Sequence, residues 1–125
     1  MATRAERLTS DANVWIALTR ADGRPHLTPI WFVWVEEAIW LCTTRDSVKA
    51  RIVAVRPAIS FALEDGNRPV TGEGQAALIE LGDAPSAVHA TFLEKYEWDT
   101  STEADYVLIR VGVGRWLSPS TDAVE

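Results

Sequence analysis

The sequence is short of the residue types that do covalent and metal chemistry. It holds one cysteine, Cys42, which can form neither an internal disulfide nor a multi-thiolate metal site. The two histidines, His26 and His89, stand in unlike contexts, so no His-rich metal centre is expected. No Gly-rich phosphate loop and no nucleophile elbow occur. No apolar run approaches the ~18 residues of a membrane span. Residues Met1 to Ser10 are polar and lack the apolar stretch of a signal peptide, so a cytoplasmic protein without membrane contact is the expectation.

What is present is ordinary in bulk and uneven in detail. A chain of 125 residues, 47% hydrophobic and 24% charged, has the size and composition of one globular domain spanning 1–125. A net charge of −6 argues against nucleic acid as a partner. Yet Arg45, Asp46, Lys49, Arg51 and Arg56 give the stretch from Trp40 to Ser60 a local net of +3, whereas Asp83 to Asp105 carries −5. A basic island in an acidic protein suits a small anionic ligand better than a polyanion. Six tryptophans stand against three phenylalanines and two tyrosines. A domain this small has little room to hide six indoles, which points to a subunit interface or ligand pocket and makes a homodimer the economical expectation.

Periodicity divides the chain into strands and helices. Arg4 to Ser10 reads as a short helix. Asn13 to Thr19, His26 to Val35 and Ala38 to Thr44 read as strands, joined by Ala21-Asp-Gly-Arg-Pro25 and by a tight turn at Glu36-Glu37, and together suggest an antiparallel meander. Pro29 lacks a ladder donor, which assigns its part of the second strand to an edge, a bulge or a ligand site. Val48, Ile52 and Val55 recur at helical spacing within Asp46 to Val55, with Asp46 or Ser47 as cap and Pro57 beyond the end. Strands follow at Ala58 to Glu64 and at Val70 to Glu80, where Gly72 and Gly74 suggest a bulge or a close backbone approach. A helix over Asp83 to Tyr96 and a strand over Asp105 to Val111 complete the set. Six strands in the order three, helix, two, helix, one fit a mainly β fold with flanking helices: a small antiparallel barrel, closed or partly split.

One junction concentrates anion-binding groups. In Thr43-Thr-Arg-Asp-Ser-Val-Lys-Ala-Arg51, two hydroxyls end a strand, Ser47 opens a helix, and Lys49 and Arg51 lie in its first turns, where free N–H groups and the positive end of the helix dipole add to them. This is the pattern of a phosphate site; a normally capped helix with solvated bases is the alternative. Two residues apart, Lys49 and Arg51 do not share a helix face, so one would contact the phosphate and the other a carboxylate or a second subunit. Asp46 opposes an anion unless it caps the helix or pairs with an arginine. His89 reads as a surface or partly buried residue and Cys42 as a core residue.

The ordered set Asp22-Gly-Arg-Pro-His26, Pro29-Ile-Trp-Phe32, Thr44 through Ser47 and Lys49 to Arg51, Pro57, Ala62-Leu-Glu-Asp-Gly66 with Pro69, Gly72 to Ala76, Tyr96-Glu-Trp98 and Arg115-Trp116-Leu117 resembles the pyridoxamine 5′-phosphate oxidase-like superfamily. More narrowly, it is similar to the small flavin/deazaflavin oxidoreductases of the split β-barrel type. The resemblance runs from about Ala12 to Leu117. It departs at Ile52, where the family commonly has asparagine, and at Val111-Gly-Val-Gly114, which lacks a proline often found there.

The resemblance implies a homodimer of six-stranded split barrels with FMN or the deazaflavin coenzyme F-420 in a groove between subunits. It places Pro29, Ile30, Trp31 and Phe32 beside the ring and Thr43, Thr44, Ser47, Lys49 and Arg51 around the phosphate. It implies hydride transfer to or from a small organic substrate, with no side chain assigned as acid or base and no metal. A protein that holds a flavin, deazaflavin or tetrapyrrole without turning it over is the rival.

Overall fold

The computed structural model describes residues 2–118. Helix α1 (Arg4–Ser10) starts where the sequence supplies a reciprocal cap: the Glu6 N–H donates to Thr3 Oγ1 and the Thr3 N–H to Glu6 Oε1, both at 3.1 Å. Strand β1 (Asn13–Thr19) alternates with period two, sending Val14, Ile16 and Leu18 into the core. It turns through Gly23, at φ +89°, into β2 (Pro25–Trp31).

At this point the structure corrects the strand count. The segment from His26 to Val35 is two strands, not one. β2 pairs with β1 from Thr19↔Pro25 to Asn13↔Trp31; after Phe32 the chain continues as β3 (Val33–Val35), which pairs with β4 (Ala38–Thr44). The first three sequence segments therefore make two hairpins joined at Phe32, not a meander. The second hairpin turns on Glu36 and Glu37, both at positive φ (52° and 59°), the primed-turn geometry that matches strand twist.

Helix α2 (Val48–Val55) follows, capped by Ser47, whose Oγ accepts the Ala50 N–H at 3.2 Å; Asp46 is not the cap. Strands β5 (Ala58–Leu63), β6 (Thr71–Ile79) and β7 (Tyr106–Trp116) complete one antiparallel sheet ordered β2-β1-β5-β6-β7-β4-β3. Its edge strands are β2 and β3, which are consecutive in the chain. The sheet therefore curls until its edges meet at Phe32, a half-barrel of seven strands where six were expected. Register shifts between Glu73 and Gly74, and a Cβ on Gly74 would lie 1.9 Å from the Gly112 carbonyl oxygen, so the β6 glycines do mark a close approach.

Two apolar clusters fill the molecule. The barrel interior holds Val14, Ile16, Phe32, Leu41, Ile109 and their neighbours, with Leu8 of α1 and Ile52 and Val53 of α2 packed into it. The second lies between the outer side of β4 and helix α3 (Ser86–Tyr96), with Trp40, Cys42, Val88, Phe92 and Leu108. Covered on both sides, β4 is buried from Ala38 to Thr43. Burial pushes the Cys42 thiol up to about 12, with Glu103 adding to the effect, which keeps it protonated and inert. No helix among the described residues is long and apolar enough to cross a membrane.

Candidate functional site

The candidate residues fall into two groups, on β2 and at the β4–α2 junction. The structure sorts each group by side.

Strand β2 has a single neighbour, β1, so Pro29 sits on a true edge, where its missing N–H costs no ladder bond. Its residues alternate: Leu27, Pro29 and Trp31 face outward and are exposed, while His26, Thr28 and Ile30 are half-buried. Ile30 packs on the interior core. Trp31 is 45% exposed and lies flat on Tyr96, ring centroids 4.4 Å apart and planes 8° from parallel, with Trp98 at its edge at 6.2 Å. The Phe32 ring is fully enclosed, so only its backbone could approach a ligand. That backbone is already engaged: its N–H donates to Tyr96 Oη at 3.0 Å, and its carbonyl lies 2.9 Å from Lys95 Nζ and 2.8 Å from Tyr96 Oη. Burial lowers Lys95 to about 8, partly offset by Asp11, and raises Tyr96 to about 12, opposed by its hydrogen bond to the Phe32 backbone.

At the junction, Thr43 is buried in the wall of the barrel and Thr44 is half-buried. The Ser47 hydroxyl spends a lone pair on the cap and keeps its own proton to donate. Arg51 is exposed and lines a cleft with Thr44, Arg45, Asp46 and Asp105. Arg45 is committed elsewhere, to both carboxylate oxygens of Glu80 at 2.6 and 2.7 Å. With two carboxylates on its wall, that cleft is a mixed-charge surface rather than a cationic one.

Lys49 takes the opposite side of α2. It is half-buried, has no ion pair among the described residues, and is held below the usual lysine range by burial alone. Its charge acts on His26, whose pKa is lowered by burial, by Arg20 and by Lys49. The two-residue spacing puts Lys49 and Arg51 on different faces of α2.

Four residues near these groups had no assigned role in the sequence: Arg20, His26, Lys95 and Tyr96. His26 and Tyr96 stand inside the quoted motifs, which was the available signal. Arg20 and Lys95 carry none, because each acts through a tertiary contact. His89 is half-buried, with Nδ1 2.7 Å from Thr100 Oγ1 and Nε2 2.7 Å from the Leu81 carbonyl, so both ring nitrogens are occupied. Among the described residues no cluster of three or more metal-ligating side chains forms.

Comparisons with known proteins agree with this frame. Residues 2–118 match the family model described as pyridoxamine 5′-phosphate oxidase. Among solved structures, the chain is similar to an F420 reductase (TM-score 0.71, 22% identity, 88% of this chain and 92% of that one). It is also similar to the conserved hypothetical protein Rv2991 of Mycobacterium tuberculosis (0.74, 28%, 93% and 85%). A third likeness is to the heme storage protein HutZ of Vibrio cholerae (0.75, 22%, 90% and 91%). The likenesses at 22% identity speak to fold. No curated protein matches the sequence.

Proposed function

The chain belongs to the pyridoxamine 5′-phosphate oxidase family, and from that premise we propose that it is an oxidoreductase that works with bound FMN or deazaflavin coenzyme F-420 on a small organic substrate. The observation that carries the reading is Lys49: a cation drawn half out of water, with no carboxylate to compensate it among the described residues. Such a group is stabilised by an anion arriving from outside. The residues fit a phosphoryl group here, since Ser47, at the same helix start, retains a hydroxyl proton to donate.

Lys49 and the Ser47 hydroxyl would hold the phosphate, with Thr44 and Arg51 on the flank. The edge of β2 from Pro29 to Trp31 would border the ring, which supplies the hydride chemistry when bound. Thr43 and Phe32 shape the wall from behind. The outer sheet face supports a homodimer: Trp15, Leu27, Trp31 and Leu117 are 40 to 63% exposed, and Trp15, Leu27 and Leu117 line one apolar groove.

The test is the absorbance spectrum of the purified protein, the mass of any small molecule released on denaturation, and titration of the emptied protein with FMN and with coenzyme F-420. Saturable binding of one of them, and bleaching by a substrate, is the expected result. Tight binding without turnover by any substrate would make the protein a carrier, and no binding of either cofactor would overturn the reading. Sedimentation velocity decides the dimer.

A further inference from the structure

We propose that Trp31, Trp98 and Tyr106 form a chain that carries a one-electron oxidising equivalent from the exposed edge of β2 to a water-accessible phenol at the start of β7.

The rings meet in series. Trp31 on β2 has Trp98 at its edge, with centroids 6.2 Å apart and planes at 66°. Trp98 in turn meets Tyr106, the first residue of β7, at 5.8 Å and 77°. Glu97 ends α3 in the left-handed region, at φ 57°, and Trp98 after it packs back on Phe92 at 5.6 Å. Electron tunnelling falls off exponentially with distance, so rings this close exchange an electron readily.

The terminus is decided by where a proton can go, because an oxidised phenol holds the hole only after losing its proton. Tyr106 is half-buried, and its hydroxyl is bonded to no described residue and is not sealed from water. Tyr96 is the opposite case. Its ring stacks on Trp31 at 4.4 Å, but its hydroxyl proton lies between the Ala12 and Phe32 carbonyls, which are not bases, and burial pushes the phenol up to about 12.

Charge favours the same direction. Lys95 Nζ lies 5.3 Å from the Tyr96 ring centroid and opposes a positive hole there. Glu97 and Asp99 flank Trp98 in the chain, and Asp105 precedes Tyr106. The other tryptophan pair, Trp34 and Trp116 at 6.2 Å, has the Arg4 guanidinium 4.1 Å over Trp116, and both tyrosines of the chain stand in the first cluster.

One electron and one proton balance the sequence. Trp31 gives an electron to a strong one-electron oxidant at the β2 edge, of which a photoexcited flavin is the class, and the oxidant is reduced by that electron. Trp98 refills Trp31, Tyr106 refills Trp98, and the Tyr106 proton passes to water, leaving a neutral tyrosyl radical.

This inference rests on the reading that a redox ring borders β2, but its test does not need the ring to bind. Free FMN excited by a laser flash oxidises exposed tryptophan on collision, and transient absorbance separates tryptophanyl from tyrosyl radicals. In the wild type the tryptophanyl signal should decay as the tyrosyl signal rises, at a rate independent of protein concentration. Tyr106→Phe, which removes an oxygen without a protein partner, should lose the tyrosyl signal. Trp98→Phe should lose its delayed rise, and Trp31→Phe should diminish it. Tyr96→Phe and Trp34→Phe should leave it in place. A tyrosyl signal that survives in Tyr106→Phe, a delayed rise undiminished in Trp31→Phe, or a rate that scales with protein concentration would overturn the proposal. A protein that passes the hole to Tyr106 yet binds neither FMN nor coenzyme F-420 on titration would sustain the chain while the cofactor reading falls. A protein that binds FMN but shows no transfer would do the reverse.

Discussion

Replacing Tyr96 with phenylalanine removes a single oxygen from the place where the barrel edges meet. That oxygen accepts the Phe32 N–H at 3.0 Å, and its one proton lies within reach of the Ala12 carbonyl at 2.7 Å and the Phe32 carbonyl at 2.8 Å. The Phe32 carbonyl keeps Lys95, at 2.9 Å, but the Phe32 N–H has no second acceptor among the described residues and belongs to a fully enclosed residue. Stranding such a donor costs about 1–3 kcal/mol. The ring stays stacked on Trp31 and against Phe92, so no cavity term is added. The expected loss is therefore about 2 kcal/mol, a fall of roughly 1 M in the urea midpoint with an unchanged slope. Urea unfolding followed by tryptophan fluorescence measures it, and amide exchange at Phe32 should accelerate alongside. A loss below about 0.5 kcal/mol with Phe32 still protected would refute the idea that Tyr96 holds the strand switch.

Further predictions concern the backbone and pH. Gly74→Ala should destabilise by about 1–3 kcal/mol or more, since its Cβ would meet the Gly112 carbonyl oxygen at 1.9 Å; thermal melts read this directly. Glu37→Gly should raise stability by about 1 kcal/mol, because a side chain now occupies a left-handed turn position that glycine adopts freely, and an unchanged melting temperature would contradict it. Lys95 binds its proton less tightly when folded than the unfolded chain does, so stability from this group should grow as pH rises from 8 towards 10. Tyr96, raised to about 12, works in the opposite sense above pH 10, where the unfolded phenol ionises first. Urea midpoints at pH 8 and 10 should therefore rise in the wild type and flatten in Lys95→Met.

The local parts of this fold were legible in the chain, and the misses have a common cause. The start of α1 follows from Thr3 and Glu6, and the ends of β1 and β4 from β-branched runs bounded by turn residues. The Glu36-Glu37 turn was equally readable. The division of His26–Val35 was not, because its apolar pattern runs unbroken through Phe32. What divides it are hydrogen bonds from Lys95 and Tyr96, more than sixty residues away. Likewise β7 runs on to Trp116 where sequence predicted an end at Val111, since Gly112 and Gly114 look like breakers until the bulge opposite Gly74 explains them. The opposed directions of Lys49 and Arg51 followed from helical spacing alone. That the charge of Lys49 acts on His26 of β2 is legible only in the folded chain.

Titration of FMN against the wild-type protein and Lys49→Ala tests the central claim most directly. Saturable binding that weakens by about 1.5–3 kcal/mol in the variant, with the fold intact by circular dichroism, is the predicted result. Equal affinity in the two proteins would contradict the assignment of Lys49 as the anchor.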